Sequence, residues 1–316
     1  MEKEIFEKYE QLEGELLDGR YRLEKLIGIG GMAIVYKATD TYVNDNTVAI
    51  KMLKEDVACD KVMLKRFKNE SRVETMLKHP NIVAMHEFST SGEKKYMVME
   101  YVSGITLKAY LKAKKGPFTF EEIMSYGIQI LSALSQAHEN LIIHRDIKPQ
   151  NIMVLKNGQI KMMDFGIAKL PNTETVTVTD KAIGTVYYMS PEQARGKKVD
   201  TRTDIYSFGA MLYELATGKL PFDGESPVSI AVKQINEEPI PPREINPDIP
   251  VGLEQIILCA MSKKPSERFQ SADSMLEYVK ALQKNKKIKF EKLPCRSKMS
   301  NFMSTLRRIF GVKKKK

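Results

Sequence analysis

The sequence predicts an α+β fold of two unlike lobes: a small antiparallel β lobe with one main helix, about residues 19–102, and a larger, mostly helical lobe, about 103–283. Three observations predict it. Residues 21–53 alternate apolar and polar side chains with β-branched enrichment, the pattern of half-buried strands. After Gly104 the apolar residues recur at helical spacing instead. A length of 316 residues with 42% hydrophobic content exceeds the usual single domain and suffices for a substantial core. Strands first and helices after place ligands in a cleft between the lobes.

Residues 1–18 form an acidic N-terminal extension, with seven acids against two lysines, that could fold across the basic C-terminal tail. Glycines at 28–31 and the run Asn44-Asp45-Asn46 divide residues 21–53 into three antiparallel strands. A helix is expected over about 60–78, stopped by His79-Pro80, and two further strands over 83–89 and 95–101. Helical patterns follow at about 120–139, 203–217, 226–236, 252–261 and 271–283, the first two flanking a loop-rich segment. Residues 284–316 are a basic tail with an amphipathic segment at 299–312.

The net charge of +10 is a property of that tail, where thirteen Lys or Arg face one acid, Glu291. The rest of the chain is near neutral, which argues against a nucleic-acid-binding core. Cys59, Cys259 and Cys295 stand far apart, with neither metal-ligand spacing nor a disulfide framework, and suit a reducing compartment such as the cytoplasm. The acidic N-terminus has no apolar core of a signal peptide, and no apolar run approaches the roughly eighteen residues needed to span a bilayer.

Chemistry is concentrated in five short strings that follow one another in order. In Gly28-Ile29-Gly30-Gly31-Met32-Ala33-Ile34-Val35 the glycines lie between two strands, where bare backbone can approach a polyphosphate and Val35 returns the chain to the sheet. A plain glycine-rich hairpin would look similar, but a dinucleotide fingerprint or Walker loop would precede a helix. Val48-Ala49-Ile50-Lys51 ends an apolar strand on an ammonium that is costly to bury unless it meets phosphate and a carboxylate. Glu70 on the following helix is the favoured carboxylate, and Glu74, one turn along the same face, competes with it.

The most specific string is His144-Arg145-Asp146-Ile147-Lys148-Pro149-Gln150-Asn151. Asp146 can orient an acceptor hydroxyl and take its proton, Asn151 can offer an amide oxygen to Mg²⁺, and Lys148 can neutralise charge on a transferred phosphoryl group. His144 reads as a structural residue beneath the loop. Asp164 of Asp164-Phe165-Gly166 supplies a second oxygen ligand for Mg²⁺, with Mn²⁺ a substitute. The fifth string, Ser190-Pro191-Glu192, follows a threonine-rich stretch.

With GGMAxVY, RDIKPQN, DFGIAK and GTVYYMSPEQ, residues 19–283 resemble the Hanks-type protein kinases, and in particular the bacterial Ser/Thr kinases whose longer members carry PASTA repeats; the chain shows neither those repeats nor a spanning helix. The departures are small: Ala33 replaces the last glycine of the usual loop, and Ser190 replaces the alanine of A-P-E. The resemblance implies a two-lobed protein-kinase fold and a serine/threonine protein kinase that transfers the ATP γ-phosphate to protein substrates. It implies an ATP site lined by Gly28, Ile29, Gly30, Gly31, Val35, Ala49, Lys51, Met99, Glu100 and Val102, with Met99 at the back of the adenine pocket and residues 100–102 as the hinge. It implies Ser/Thr acceptors from Lys148, a Glu192 pairing with Arg268, an Asp204 that braces the catalytic loop, and a platform role for Thr185. Transient homodimerisation through the small lobe belongs to the same implication.

Thr173, Thr175, Thr177 and Thr179 are candidate regulatory phosphorylation sites, with Thr177 and Thr179 favoured for autophosphorylation and Arg145 available to pair with the phosphate. Met299, Phe302, Met303, Leu306, Ile309 and Phe310 form one helical stripe ahead of four lysines, which suits contact with an anionic membrane at the inner face of the plasma membrane. A pseudokinase scaffold would need a lesion among Lys51, Glu70, Asp146, Lys148, Asn151 and Asp164, and all six are intact. Small-molecule kinases lack a peptide platform such as residues 184–192.

Overall fold

Strand alternation sets the first sheet of the computed structural model, which describes residues 2–90, 92–165 and 184–293. Its strands are β1 (Leu16–Leu17), β2 (Tyr21–Ile29), β3 (Ala33–Asp40), β4 (Asn46–Leu53), β5 (Met85–Ser89) and β6 (Tyr96–Glu100). They run in the order β1-β2-β3-β4-β6-β5, every neighbour antiparallel. Asn44 and Asp45 take left-handed φ of 46° and 51° in the β3–β4 turn, a conformation that their short polar side chains tolerate.

Period-two alternation gives this sheet two apolar faces. One gathers Leu23, Tyr36, Val48, Ile50, Met52 and Val98; the other gathers Ala33, Leu53 and Met97 against Phe67. Phe67 belongs to helix α3 (Lys61–Glu74), which follows the short helix α2 (Glu55–Ala58) and is capped by the Asp60 side chain. The helix ends four residues before the expected stop, where Thr75 turns its hydroxyl back onto the Arg72 carbonyl at 2.7 Å.

The acidic segment at the start of the chain packs on the first of these faces. Helix α1 (Glu2–Glu10) brings Tyr9 into the cluster with Leu17, and Leu12 packs beside them. The Tyr36 hydroxyl donates to the Tyr9 carbonyl at 2.7 Å, and the Leu26 amide donates to the Glu13 carboxylate at 2.8 Å. Three apolar residues among many acids are enough to seat it. The basic tail from residue 294 onward, which that segment was expected to meet, lies outside the described residues.

Among the described residues the chain divides into two units, the first made of residues 2–110, 136–145 and 149–165, the second of residues 111–135, 146–148 and 184–293. The first unit also holds a small sheet, β7 (Gly104–Thr106), β8 (Ile152–Leu155) and β9 (Ile160–Met162). A Cβ on Gly104 would lie 2.5 Å from the Val154 carbonyl oxygen, so this strand pairing requires glycine there. Helix α4 (Leu107–Lys114) follows β7, and α5 (Phe120–Glu139) occupies its expected span.

The second unit is helical, with α6 (Pro191–Ala194), α7 (Thr201–Thr217), α8 (Pro227–Asn236), α9 (Pro242–Ile245), α10 (Val251–Ala260) and α11 (Ala272–Lys284). Helix α7 is its centre, buried continuously from Thr203 to Thr217 and closed by left-handed Gly218. Gly209 lets it approach α10 closely, because a Cβ there would lie 2.7 Å from the Ala260 Cβ. No helix among the described residues is long and apolar enough to cross a membrane.

Candidate active site

Sheet register places the first group of site residues. Gly28 pairs with Val35, Val35 with Lys51, and Lys51 with Met97, so one row crosses four strands on the face that packs against α3. Ala49 lies one step along the same face, paired with Met99. Ile29 pairs with Ile34, and the Gly30 amide donates to the Ala33 carbonyl at 2.6 Å, closing the turn that holds Gly31. A Cβ on Gly28 would meet Val35 at an ordinary 3.8 Å, and its φ is not left-handed. The chain itself does not require glycine at 28; the bare backbone leaves room for a ligand.

Lys51 is held from two sides. Its Nζ donates to Glu70 Oε1 at 2.7 Å and to Asp164 Oδ1 at 2.7 Å. Burial alone would lower the ammonium's pKa, but the charges of Asp164, Glu70 and Glu74 outweigh it and hold it well above the usual lysine value. Asp164 reaches this position in a left-handed conformation, φ 57°, which needs support from its neighbours. Met163 gives that support: its amide donates to the Asn151 carbonyl at 3.0 Å, and its own carbonyl lies 3.2 Å from His144 Nε2. The fully buried His144 ring also lies 4.6 Å from that of Phe165. Asn151, buried in the 3₁₀ turn Pro149–Asn151, is thereby joined to the strand end that carries Asp164.

An amide oxygen and a carboxylate are hard donors that fit Mg²⁺ or Mn²⁺, and two protein ligands suffice for a cation completed by phosphate and water. The described residues contain no group of three His, Cys, Asp or Glu that could hold a metal by itself.

Glu74 is the residue whose part the sequence understates. Glu70 takes the lysine, while Glu74 accepts the Phe165 backbone N–H. Burial first, and then the nearby Glu70 and Asp164 charges, push its carboxyl up to about 8 despite Lys51 and that hydrogen bond. The folded state therefore binds this proton more tightly than the unfolded chain. Its contribution to stability is complete below about 4.5, the usual carboxyl value, and is lost as the pH rises through about 8. Glu74→Gln is expected to raise the Tm of the nucleotide-free protein by about 2–4 °C at pH 8.5 and to leave it nearly unchanged at pH 5, read by thermal melts at the two pH values.

After β6 the chain runs without regular structure through Tyr101 and Val102. The Glu100 side chain is engaged within the first unit, accepting from Lys161 Nζ at 2.7 Å and from the Ala84 amide at 3.2 Å. Only its backbone is left for the hinge role. Met99 packs against the Phe67 cluster. A cavity of about 400 Å³ opens elsewhere on this unit, around Asp18, Tyr21, Tyr42 and Tyr96, and contains none of the expected site residues.

The second unit holds the other group. Lys148 Nζ donates to Asp146 Oδ2 at 2.8 Å and to Thr185 Oγ1 at 2.8 Å, linking the expected proton acceptor to the expected platform hydroxyl. Six residues on, Pro191-Glu192 opens α6, with Ser190 and Gln193 forming a capping box. Glu192 meets Arg268 in a two-pronged pair at 2.7 and 2.8 Å, both side chains buried. All five guanidinium N–H groups are used, the other three on the carbonyls of Ser262, Arg202 and Lys263. Burial would raise the Glu192 carboxyl, but the Arg268 hydrogen bonds and charge bring it below the usual value.

Asp204 is fully buried in the first turn of α7. Arg145, in the first unit, has a left-handed φ of 65°. Gly166, Thr173, Thr175, Thr177 and Thr179 lie outside the described residues, as does the stripe at 299–312.

The description of the protein kinase domain family matches residues 21–279. The chain is similar to a probable serine/threonine-protein kinase of Clostridium acetobutylicum, 47% identical over 86% of this chain and 41% of the relative. It is similar to serine/threonine-protein kinase PrkC of Bacillus subtilis, 45% identical over 83% of this chain and 40% of the relative. The chain thus spans about two-fifths of the length of these curated relatives. The crystal structure of the Mycobacterium tuberculosis PknI kinase domain shares the fold, with a TM-score of 0.67 at 24% identity over 85% of this chain and 98% of that one.

Proposed function

The chain belongs to the protein kinase family, and from that premise we propose that it transfers the γ-phosphate of ATP to serine or threonine hydroxyls of protein substrates. The observation that carries the reading is the Lys51 ammonium, held between Glu70 and Asp164 at 2.7 Å each. A partly buried lysine fixed by two carboxylates is oriented to bind phosphate oxygens rather than to titrate. The glycine-rich turn beside it leaves main-chain N–H groups free of side-chain bulk for the polyphosphate.

Asn151 and Asp164 would hold the divalent cation, which when bound neutralises charge between the transferred and remaining phosphates. Asp146 orients the acceptor hydroxyl and takes its proton. Lys148 offsets the negative charge that grows on the transferred group, and Thr185 fixes where Lys148 stands. Catalysis in this reading consists of positioning and electrostatics, with no covalent intermediate on the protein.

Autophosphorylation at Thr177 and Thr179, with Thr173 and Thr175 as lesser sites, would order the loop against Arg145; a phosphopeptide map of the active enzyme checks it, and unmodified Thr177 and Thr179 would refute it. Work on cytoplasmic ATP, pairing of small lobes and contact of residues 299–316 with anionic membrane complete the proposal. Co-sedimentation with liposomes that rises with anionic lipid content supports the last, and indifference to lipid charge removes it. The function itself is tested by incubating the protein with labelled ATP, Mg²⁺ and a generic basic protein, then resolving the phosphoamino acids. Phosphoserine and phosphothreonine are expected; phosphotyrosine alone, or no transfer, would overturn the reading.

A further inference from the structure

The segment that carries Thr185 is helical at residues 184–186, and the end of a helix leaves carbonyls that it cannot satisfy itself. One side chain from another helix reaches two carbonyls there, that of Tyr187 and that of Val186, which the Met189 amide also reaches at 3.4 Å. Gln234 Nε2 donates to the Tyr187 carbonyl at 2.7 Å and to the Val186 carbonyl at 3.3 Å. Gln234 lies on α8 with no exposed surface, and its Oε1 accepts the Tyr206 hydroxyl at 2.5 Å. Because two carbonyls face the nitrogen, only this orientation of the amide satisfies every partner.

Tyr206 is fully buried on α7, where its ring lies 4.8 Å from the Arg268 guanidinium. Lys263 completes the brace, donating to the Gln234 main-chain carbonyl at 3.1 Å and to the Tyr206 hydroxyl at 3.3 Å. The far side of the turn has a separate anchor, the buried bond from the Tyr188 hydroxyl to Glu214. Removing the Gln234 amide therefore frees the side next to Thr185 without releasing the whole segment.

We infer that Gln234 is a positioning residue for the protein acceptor: through the Val186 and Tyr187 carbonyls it fixes the platform at Thr185, while Lys148 keeps its separate bond to Asp146. The inference rests on the kinase reading above and adds to it a residue far from the catalytic strings in sequence. Displacing a positioned group by about 1 Å costs up to ~100-fold in rate, so partial release of one turn is expected to cost about tenfold.

The test compares wild type, Gln234→Leu, Tyr206→Phe and the double variant. The readouts are kcat/KM for a basic protein acceptor, KM for ATP, ATP hydrolysis without acceptor, and thermal melting. Gln234→Leu is expected to lower acceptor kcat/KM about tenfold while ATP KM and acceptor-free hydrolysis stay within about twofold. Tyr206→Phe, which leaves both amide donors in place, is expected to cost about threefold, and the double variant no more than Gln234→Leu alone. Equal loss of acceptor-dependent and acceptor-free activity would reduce Gln234 to a stabilising residue and overturn the inference, as would no loss at all. If Gln234→Leu fails to melt cooperatively, Tyr206→Phe decides alone: an unchanged acceptor kcat/KM contradicts the inference. A wild-type protein that phosphorylates no acceptor sinks the kinase reading and this inference with it; an active wild type with an equally active Gln234→Leu sinks the inference only.

Discussion

Asp146→Asn is expected to lower phosphoryl transfer to protein by about 10²–10⁴-fold, the usual worth of a positioned general base. Asparagine matches the shape of aspartate and can still accept from Lys148, so the link from Lys148 to Thr185 survives. What is lost is the anionic oxygen that takes the hydroxyl proton. The groups proposed to bind nucleotide, Lys51, Glu70, Asn151 and Asp164, are untouched. MgATP affinity, measured by calorimetry, is therefore expected to stay within about threefold of wild type while kcat collapses. A variant that retains most of its kcat would show that Asp146 is not the acceptor-side base.

The second large effect is on stability. Arg268→Met would leave the Glu192 carboxylate buried without its cation, held by Thr203 and its own backbone N–H, and removing one partner of such a pair costs about 3–5 kcal/mol. It would also remove the Arg268 hydrogen bonds to the carbonyls of Ser262, Arg202 and Lys263. A Tm loss of roughly 10 °C is expected, and pairing it with Glu192→Met should recover part of that loss, because two apolar side chains carry no unpaired charge. The depressed Glu192 carboxyl adds a pH signature. Its contribution is present above the usual carboxyl pKa and is lost as the pH falls through the lowered value, so the gap between wild type and Arg268→Met should narrow in acid. A gap that stays constant from neutral pH into acid would contradict this account of the pair.

Much of this was legible in the sequence because the chemistry sits in consecutive residues. A strand carrying Lys51 near its end fixes its row in the sheet by alternation, and the long helix that follows presents Glu70 to it. Asp146 and Lys148 lie so close in sequence that their meeting needs little tertiary information. Apart from the Glu192–Arg268 pair, which the family resemblance implies, contacts that depend on distant helices were not legible. Nothing in the spacing of α8 marks Gln234 as a partner of Val186 and Tyr187, nor Tyr206 as its support. Glu74 was visible only as a rival for Lys51, since its bond to the Phe165 backbone depends on where β9 ends. The N-terminal helix was hidden for another reason: its acids dominate the composition, whereas Tyr9, Leu12 and Leu17 decide where it packs.

Charge on a single side chain stands at the centre of the account. Transfer of labelled phosphate from MgATP to a basic protein, measured side by side for wild type and Lys51→Met, tests it most directly. Phosphoserine and phosphothreonine are expected from the wild type and a loss of at least ~100-fold in the variant, in which Glu70 and Asp164 lose the ammonium between them. Undiminished transfer by Lys51→Met would contradict it.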